Sequence, residues 1–279
     1  MTGTLSRVSN VPGSFSSSSD SADLQRLAAI DTTRAHPARI YDHLLGGKDN
    51  FEVDRAAAEK VARAVPTAKA EVTANREFLR RVVTYAADQG VSQFLDIGTG
   101  IPTVGPTHEV AQRVNPETRV AYVDNDPIVL AHSRALLSSN DRTFTIQADV
   151  REPDTILGHP VIRAMLDFER PIALMFVGLL YFVDDDDDPW SLVARYRDAL
   201  APGSHLLLSH VIDTPQTREA AKAYESATSR LTPRSPERVE ALFDGWTIVE
   251  PGVVPVHAWR PDGGETVAAQ VVGGVGRLA

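Results

Sequence analysis

Three aspartates each follow a short apolar run: Asp96 in FLDIGTG, Asp124 in VAYVDND and Asp149 in IQADVRE. Asp96 opens a D-x-G-x-G turn with Gly98 and Gly100. Two glycines so placed let backbone come close to a ligand. A carboxylate ahead of them can pair with an ammonium group or orient the turn. Asp124 stands where an acidic side chain accepts hydrogen bonds from both hydroxyls of a ribose. Asp149 stands where a carboxylate takes the amino group of an adenine, with Val150 against the ring. Helix capping is the competing use of such aspartates, and Asp126 before Pro127 reads as a cap with proline at the first helical position.

Three kinds of nucleotide-binding turn compete for residues 94–105. A dinucleotide fingerprint G-x-G-x-x-G is matched at Gly98 and Gly100 but has threonine at position 103, where the third glycine lets helix and strand pack closely. A phosphate loop is excluded because no Gly-Lys-Ser/Thr follows. The acid-led turn suits a nucleoside with an amino-acid tail and no pyrophosphate, and S-adenosylmethionine is such a ligand.

The elements that must hold these residues alternate. Apolar runs at 93–98, 119–124, 143–148, 172–178, 205–212, 246–251 and 265–274 are separated by helical patterns at 103–114, 127–138, 153–168, 189–200, 215–229 and 235–243. The 153–168 helix is expected to break around Gly158 to Pro160, and a helix-free loop containing PDGG joins the last two runs. This order predicts an α/β fold: a Rossmann-like, seven-stranded, mostly parallel sheet with helices on both faces. A final antiparallel strand is expected near the edge. Residues 1–25 read as a disordered, serine-rich leader, 26–90 as an N-terminal helical cap or lid, and 91–279 as the ligand-binding core.

The 279 residues carry a net charge of −9 and no cysteine. That removes thiolate metal sites, disulfides and a cysteine nucleophile. It also gives no general attraction to nucleic acid or anionic membranes. No apolar run reaches the ~20 residues of a membrane span, and the start lacks a signal peptide's pattern, so a cytoplasmic location is expected.

The stretch IYDHLLGGKDNF reads as a lid. Tyr41 is expected over the cofactor, Gly46 and Gly47 against its amino-acid tail, and Arg39 either on its carboxylate or exposed. A helix stop at the glycines is the plainer reading. His210 is a candidate general base, with Tyr181 shaping the methyl channel and His43 a third candidate. The run DDDDD at 184–188 reads as a helix cap and first turn rather than a metal site. The 215–229 helix, carrying Tyr224, is expected to form an acceptor wall.

The segments ARIYDHLLGGKDNFEVDR, FLDIGTGIPTVGPTHEVAQ, VAYVDNDPIVLAHSRALL and ADVREPDTIL resemble the class I S-adenosylmethionine-dependent methyltransferases. More narrowly, they resemble the actinobacterial S-adenosyl methyltransferase family filed as DUF574. The resemblance implies S-adenosylmethionine over strands one to four. Asp96, Gly98 and Gly100 would line its methionine portion, Asp124 and Asn125 the ribose and adenine edge, and Asp149 and Val150 the adenine. FVGLLYFV would lie beside the sulfonium. The implied activity is methyl transfer to a small-molecule acceptor, without metal, nucleic acid or membrane. Two rival readings are a non-catalytic S-adenosylmethionine-binding regulator and an NAD(P)-dependent oxidoreductase. The latter needs a hydride-handling pair such as Tyr-x-x-x-Lys, which is not found. No basic stripe or base-flipping motif supports methylation of nucleic acid.

Overall fold

The structure is a computed structural model and describes residues 31–102, 105–131, 141–263 and 270–279. The expected leader therefore lies outside the described residues, as do Thr103, 132–138 of one expected helix and 265–269 of the last expected strand. Strands β1 (Gln93–Ile97), β2 (Arg119–Asp124), β3 (Thr143–Gln147), β4 (Ala173–Val177) and β5 (His205–Val211) form the parallel part of the sheet. The short strands β6 (Thr247–Ile248) and β7 (Val254–Pro255) and the long β8 (Val271–Arg277) complete it. The order is β3-β2-β1-β4-β5-β8-β6, with β7 also pairing with β8.

β8 runs antiparallel between β5 and the edge, as the sequence predicts. The edge position itself is split. The 246–251 run keeps only β6 as strand, because Pro251 has no N–H to donate and Gly252 turns the chain back, its N–H donating to the Val249 carbonyl. β7 then resumes the pairing with Val254 opposite Gly273. Seven strand positions are thus filled by eight strands.

β1, β4 and the middle of β5 are buried on both faces, which explains their unbroken apolar runs. One face is covered by the Ala68–Asp88 helix, whose Phe78, Leu79, Val82, Val83 and Ala86 fall at helical spacing and are almost wholly buried. Gly273 on β8 makes this contact possible, since a Cβ there would stand 2.6 Å from Phe78. The opposite face is packed by residues such as Ile156, Ile162, Val193 and Tyr196 from helices Pro153–Leu157, Pro160–Met165 and Pro189–Arg197. The first two of these are the halves of the expected 153–168 helix.

The expected 215–229 helix is shorter. It runs Pro215–Ala221, tightens to a 3-10 turn over Lys222–Tyr224 and ends. The following segment turns to the N-terminal chain, with Thr228 N–H donating to the Ala35 carbonyl.

Helices Pro37–Leu44 and Glu52–Ala64 precede the long helix and pack with Ala220, Ala223 and Tyr224. They are fastened to the end of β2. Asp126 Oδ2 lies 3.1 Å from His36 Nδ1 and 3.4 Å from Arg39 Nε. Asp54 accepts from the His36 and Phe51 N–H groups and lies 3.7 Å from Arg39 Nη1. The N-terminal segment is therefore a wall built into the fold.

Candidate active site

In open α/β sheets, ligands bind beyond the carboxyl ends of the strands, where the strand order reverses. Here the reversal falls between β1 and β4. A cavity lies there whose empty space, counting open solvent, is about 1040 Å³. Its floor is the turn after β1, its sides are the ends of β2, β3 and β4, and its remaining wall is the N-terminal helix with Asn75 and Arg76.

The turn is held from beneath. Asp96 is buried and accepts a 2.6 Å hydrogen bond from the Thr107 hydroxyl. Burial raises its pKa to about 6, against the hydrogen bond from Thr107 and the charge of Arg76. Asp96 does not line the cavity. It ties the end of β1 to the start of the Thr107–Val114 helix. Gly98 and Gly100 both have positive φ, 74° and 64°, which a side chain disfavours. Their surroundings differ. A Cβ at Gly98 would stand 2.5 Å from Leu179, whereas one at Gly100 would meet nothing within 4 Å. Gly98 admits the β4 segment across the turn, and Gly100 leaves open space above it.

Asp124 ties this turn to the next strand end. Its Oδ2 accepts from Gly100 N–H at 2.8 Å and its Oδ1 from Asp126 N–H at 2.9 Å. Burial pushes its pKa up while these two donors pull it down. Asn125 is exposed on the cavity rim. Asp149 and Val150 line the β3 side. Asp149 is not the cap residue of the next helix, which is Glu152. It makes a two-oxygen ion pair with Arg151, at 2.9 and 2.6 Å. Burial raises its pKa, but the side-chain and backbone hydrogen bonds from Arg151 outweigh this and hold it below the usual carboxylate value. Asp126 does cap, accepting from Ile128 N–H at 3.0 Å.

Tyr41 lines the cavity and its hydroxyl is tethered, donating to the Val72 carbonyl and accepting from Asn75 Nδ2. Gly46 and Gly47 do not line it. Gly46, at φ 82°, stops the helix, and Gly47 lies against Asp42, whose carboxylate a side chain there would strike. The glycines were expected against the cofactor tail; they instead close a turn around Asp42, whose Oδ2 accepts from Asp49 N–H and Asn50 Nδ2. Arg39 is buried in the ion pairs with Asp126 and Asp54, so neither expected place for it is correct. Arg151 and Arg76 both line the cavity, and Arg76 also donates to the Gly105 carbonyl. It sits in the exposed-looking REFLRR stretch of a long helix, where sequence offers no sign that it turns inward.

The expected general base is elsewhere. His210 is completely buried and outside the cavity lining. Arg234 Nη1 donates to its Nε2 at 2.8 Å, which places the ring proton on Nδ1, directed at the Val211 carbonyl, also at 2.8 Å. Burial and the Arg234 charge lower its pKa to about 3. With its lone pair occupied, His210 is a structural residue. Tyr181 packs edge-on to His210 behind the wall, its hydroxyl 3.2 Å from where a Gly178 side chain would begin. Its neighbour Phe182 lines the cavity, with Tyr224 behind it. His43 is half-buried and does not line it. Ser229 is the residue that the 215–229 segment brings to the wall.

The acidic run is spent locally. Asp184 accepts from the Thr232 hydroxyl, Asp185 pairs with Arg234 and Arg238, and Asp188 caps the next helix. Among the described residues, no group of three or more His, Cys, Asp or Glu side chains is placed to hold a metal ion, and no helix is long and apolar enough to cross a membrane.

Sheet order and site position define the class I, Rossmann-like methyltransferase fold. Residues 23–279 match the model of the S-adenosyl methyltransferase family, and the chain belongs to that family. A Thermobifida fusca protein provisionally described as a methyltransferase is 45% identical, with 90% of this chain and 97% of that one covered and a TM-score of 0.86. A DUF574 family protein from Streptomyces avermitilis is 40% identical over 89% of this chain and 99% of its own, also with a TM-score of 0.86. A search of curated proteins finds no match.

Proposed function

We propose that the protein is a methyltransferase that binds S-adenosylmethionine in this cavity and methylates a small-molecule acceptor. The observation that carries the reading is the floor of the site. Gly100 leaves open space above the turn, and its N–H is held by Asp124 at the end of the neighbouring strand. The donor set fits the cofactor. Asp124 has lone pairs remaining for ribose hydroxyls, Val150 and Ile101 offer apolar surface for an adenine, and Arg76 supplies the cation for a carboxylate.

The bound cofactor supplies the activated methyl group. The chain's own task is to orient the acceptor, exclude water and receive a proton. Calorimetric titration with S-adenosylmethionine, S-adenosylhomocysteine and NADH, on the parent and on Asp124→Ala, tests the reading. Binding of both adenosyl ligands, weakened at least tenfold by the substitution, with none of NADH, is the expected result. Binding of NADH alone would overturn it.

A further inference from the structure

Among the described residues, His36 is the imidazole that lines the cavity. It stands at the entry to the Pro37–Leu44 helix and is held there from several sides. Its N–H donates to Asp54 Oδ1 at 2.9 Å, its carbonyl accepts from the Arg39 and Ile40 N–H groups, and its Nδ1 accepts from Ala38 N–H at 3.3 Å. The other ring nitrogen, Nε2, has no hydrogen-bond partner among the described residues. Nor is it sealed in, since the side chain keeps 11% of its surface and faces the cavity.

The bond from Ala38 decides where the ring proton sits. A neutral imidazole has one N–H and one acceptor nitrogen. Nδ1 is the acceptor here, so Nε2 carries the proton and the ring presents a donor to the cavity. Asp126 Oδ2 lies 3.1 Å from Nδ1 but receives no hydrogen bond from it. A second proton on the ring would go to Nδ1, against that carboxylate, and Nε2 would remain a donor. In both forms the ring offers the cavity an N–H and no lone pair, so its use is recognition and not proton abstraction.

The nearest task for that donor is at Asp124. Asp126, which touches His36, donates its N–H to Asp124 Oδ1 at 2.9 Å. Burial raises the pKa of Asp124, and the charge of His36 is among the effects that lower it, which places the two on one part of the wall. A carboxylate only accepts, whereas a hydroxyl both donates and accepts. A diol that donates to Asp124 still has oxygen lone pairs to satisfy, and His36 brings the missing donor. Resting on the function proposed above, we infer that His36 is a second recognition residue for the ribose, donating from Nε2 to a hydroxyl whose own proton Asp124 accepts. An acceptor and a donor aimed at one diol make the site selective for ribose over deoxyribose, because the analogue leaves both groups unpaired.

Calorimetry with S-adenosylhomocysteine and its 2′-deoxy and 3′-deoxy analogues, on the parent and on His36→Asn, tests this. Asparagine keeps a side-chain acceptor for Ala38 N–H, and with it the helix cap, but has no atom at the place of Nε2. S-adenosylhomocysteine should bind the variant about tenfold more weakly. The same substitution should cost less than about threefold on the analogue that lacks the contacted hydroxyl. An equal penalty on all three ligands overturns the inference, and so does parent-like binding of S-adenosylhomocysteine by the variant. Ring 15N NMR on the parent gives a second reading that needs no variant. With S-adenosylhomocysteine bound, the proton should be on Nε2 of His36 and protected from exchange with water, and one deoxy analogue should leave it unprotected. A proton on Nδ1 alone, or no protection with S-adenosylhomocysteine, overturns the inference. Failure of S-adenosylhomocysteine to bind the parent would refute the proposed function itself, and is told apart because it shows before any variant or analogue is compared.

Discussion

Gly98 and Gly100 belong to one motif, yet the structure assigns them different costs. Both have positive φ, so an alanine at either position carries the left-handed strain of roughly 1–2 kcal/mol. At Gly98 the new methyl would stand 2.5 Å from Leu179 Cδ1. Overpacking of a tight core adds about 1–3 kcal/mol, for a total of roughly 2–5 kcal/mol. Against a typical domain stability of about 5–15 kcal/mol this is a large loss. At Gly100 the methyl meets no protein atom within 4 Å, so only the backbone strain remains. It occupies the ligand's space instead. The same overpacking scale, applied to the ligand, is roughly a 5- to 150-fold loss of affinity. Urea denaturation and calorimetry with S-adenosylhomocysteine, run on both variants, separate the effects. Gly98→Ala should lose clearly more stability than Gly100→Ala, while Gly100→Ala folds and binds weakly. Parent-like binding by Gly100→Ala would refute the placement of the ligand over this turn.

Asp96 gives a pH signature. Its pKa of about 6 in the folded protein, raised from 3.8, means that the folded state holds the proton more tightly than the unfolded chain. Relative stability is therefore fully present below pH 3.8 and is lost as pH rises through about 6. The parent should lose on the order of 3 kcal/mol relative to Asp96→Asn between these limits, read by urea denaturation across that range. His210, with its pKa lowered to about 3, should show imidazole NMR shifts that do not titrate between roughly pH 5 and 8. Titration near neutrality would mean that its Nε2 is not held by Arg234. Asp126→Ala strips buried Arg39 and His36 of a shared carboxylate. It should cost about 3–5 kcal/mol in urea denaturation, and a loss under about 1 kcal/mol, the value of an ordinary helix cap, would refute the latch.

The fold, and which strand-end residues gather around the cavity, were legible because both rest on local signals. Each strand is a continuous run, and each of Gly98, Gly100, Asp124, Asp149 and Val150 sits within a few residues of a strand end, so topology alone brings them together. The misreadings share a different cause. His210 ends a strand on the correct side of the sheet, but whether an imidazole faces ligand or core depends on Arg234, 24 residues later, and on no local pattern. Gly46 and Gly47 were recognised as a deliberate turn, but its object was Asp42 rather than a ligand. Arg39 is buried against the carboxylates of Asp54 and Asp126, and sequence does not show which arginine meets them. The split of the 246–251 run was signalled by Pro251, whose missing donor matters more on an edge strand than the apolar run suggests.

The same ion pairs join two walls of the cavity. Asp124 holds the glycine turn with one oxygen and the Asp126 N–H with the other. Asp126 in turn lies against His36 and Arg39, at the start of the helix that carries Tyr41 and Asp42. The carboxylate that holds the glycine turn and the helix on another wall of the cavity are thus connected through one short buried chain of contacts. In-line methyl transfer depends on the distance and angle between donor and acceptor, and such alignment is held better by packed, hydrogen-bonded elements than by a mobile loop. Under the function proposed above, a wall fastened to the end of β2 would keep that alignment. On the same reading, the charged cluster beneath the N-terminal helix is the part that would set the relative position of the two substrates.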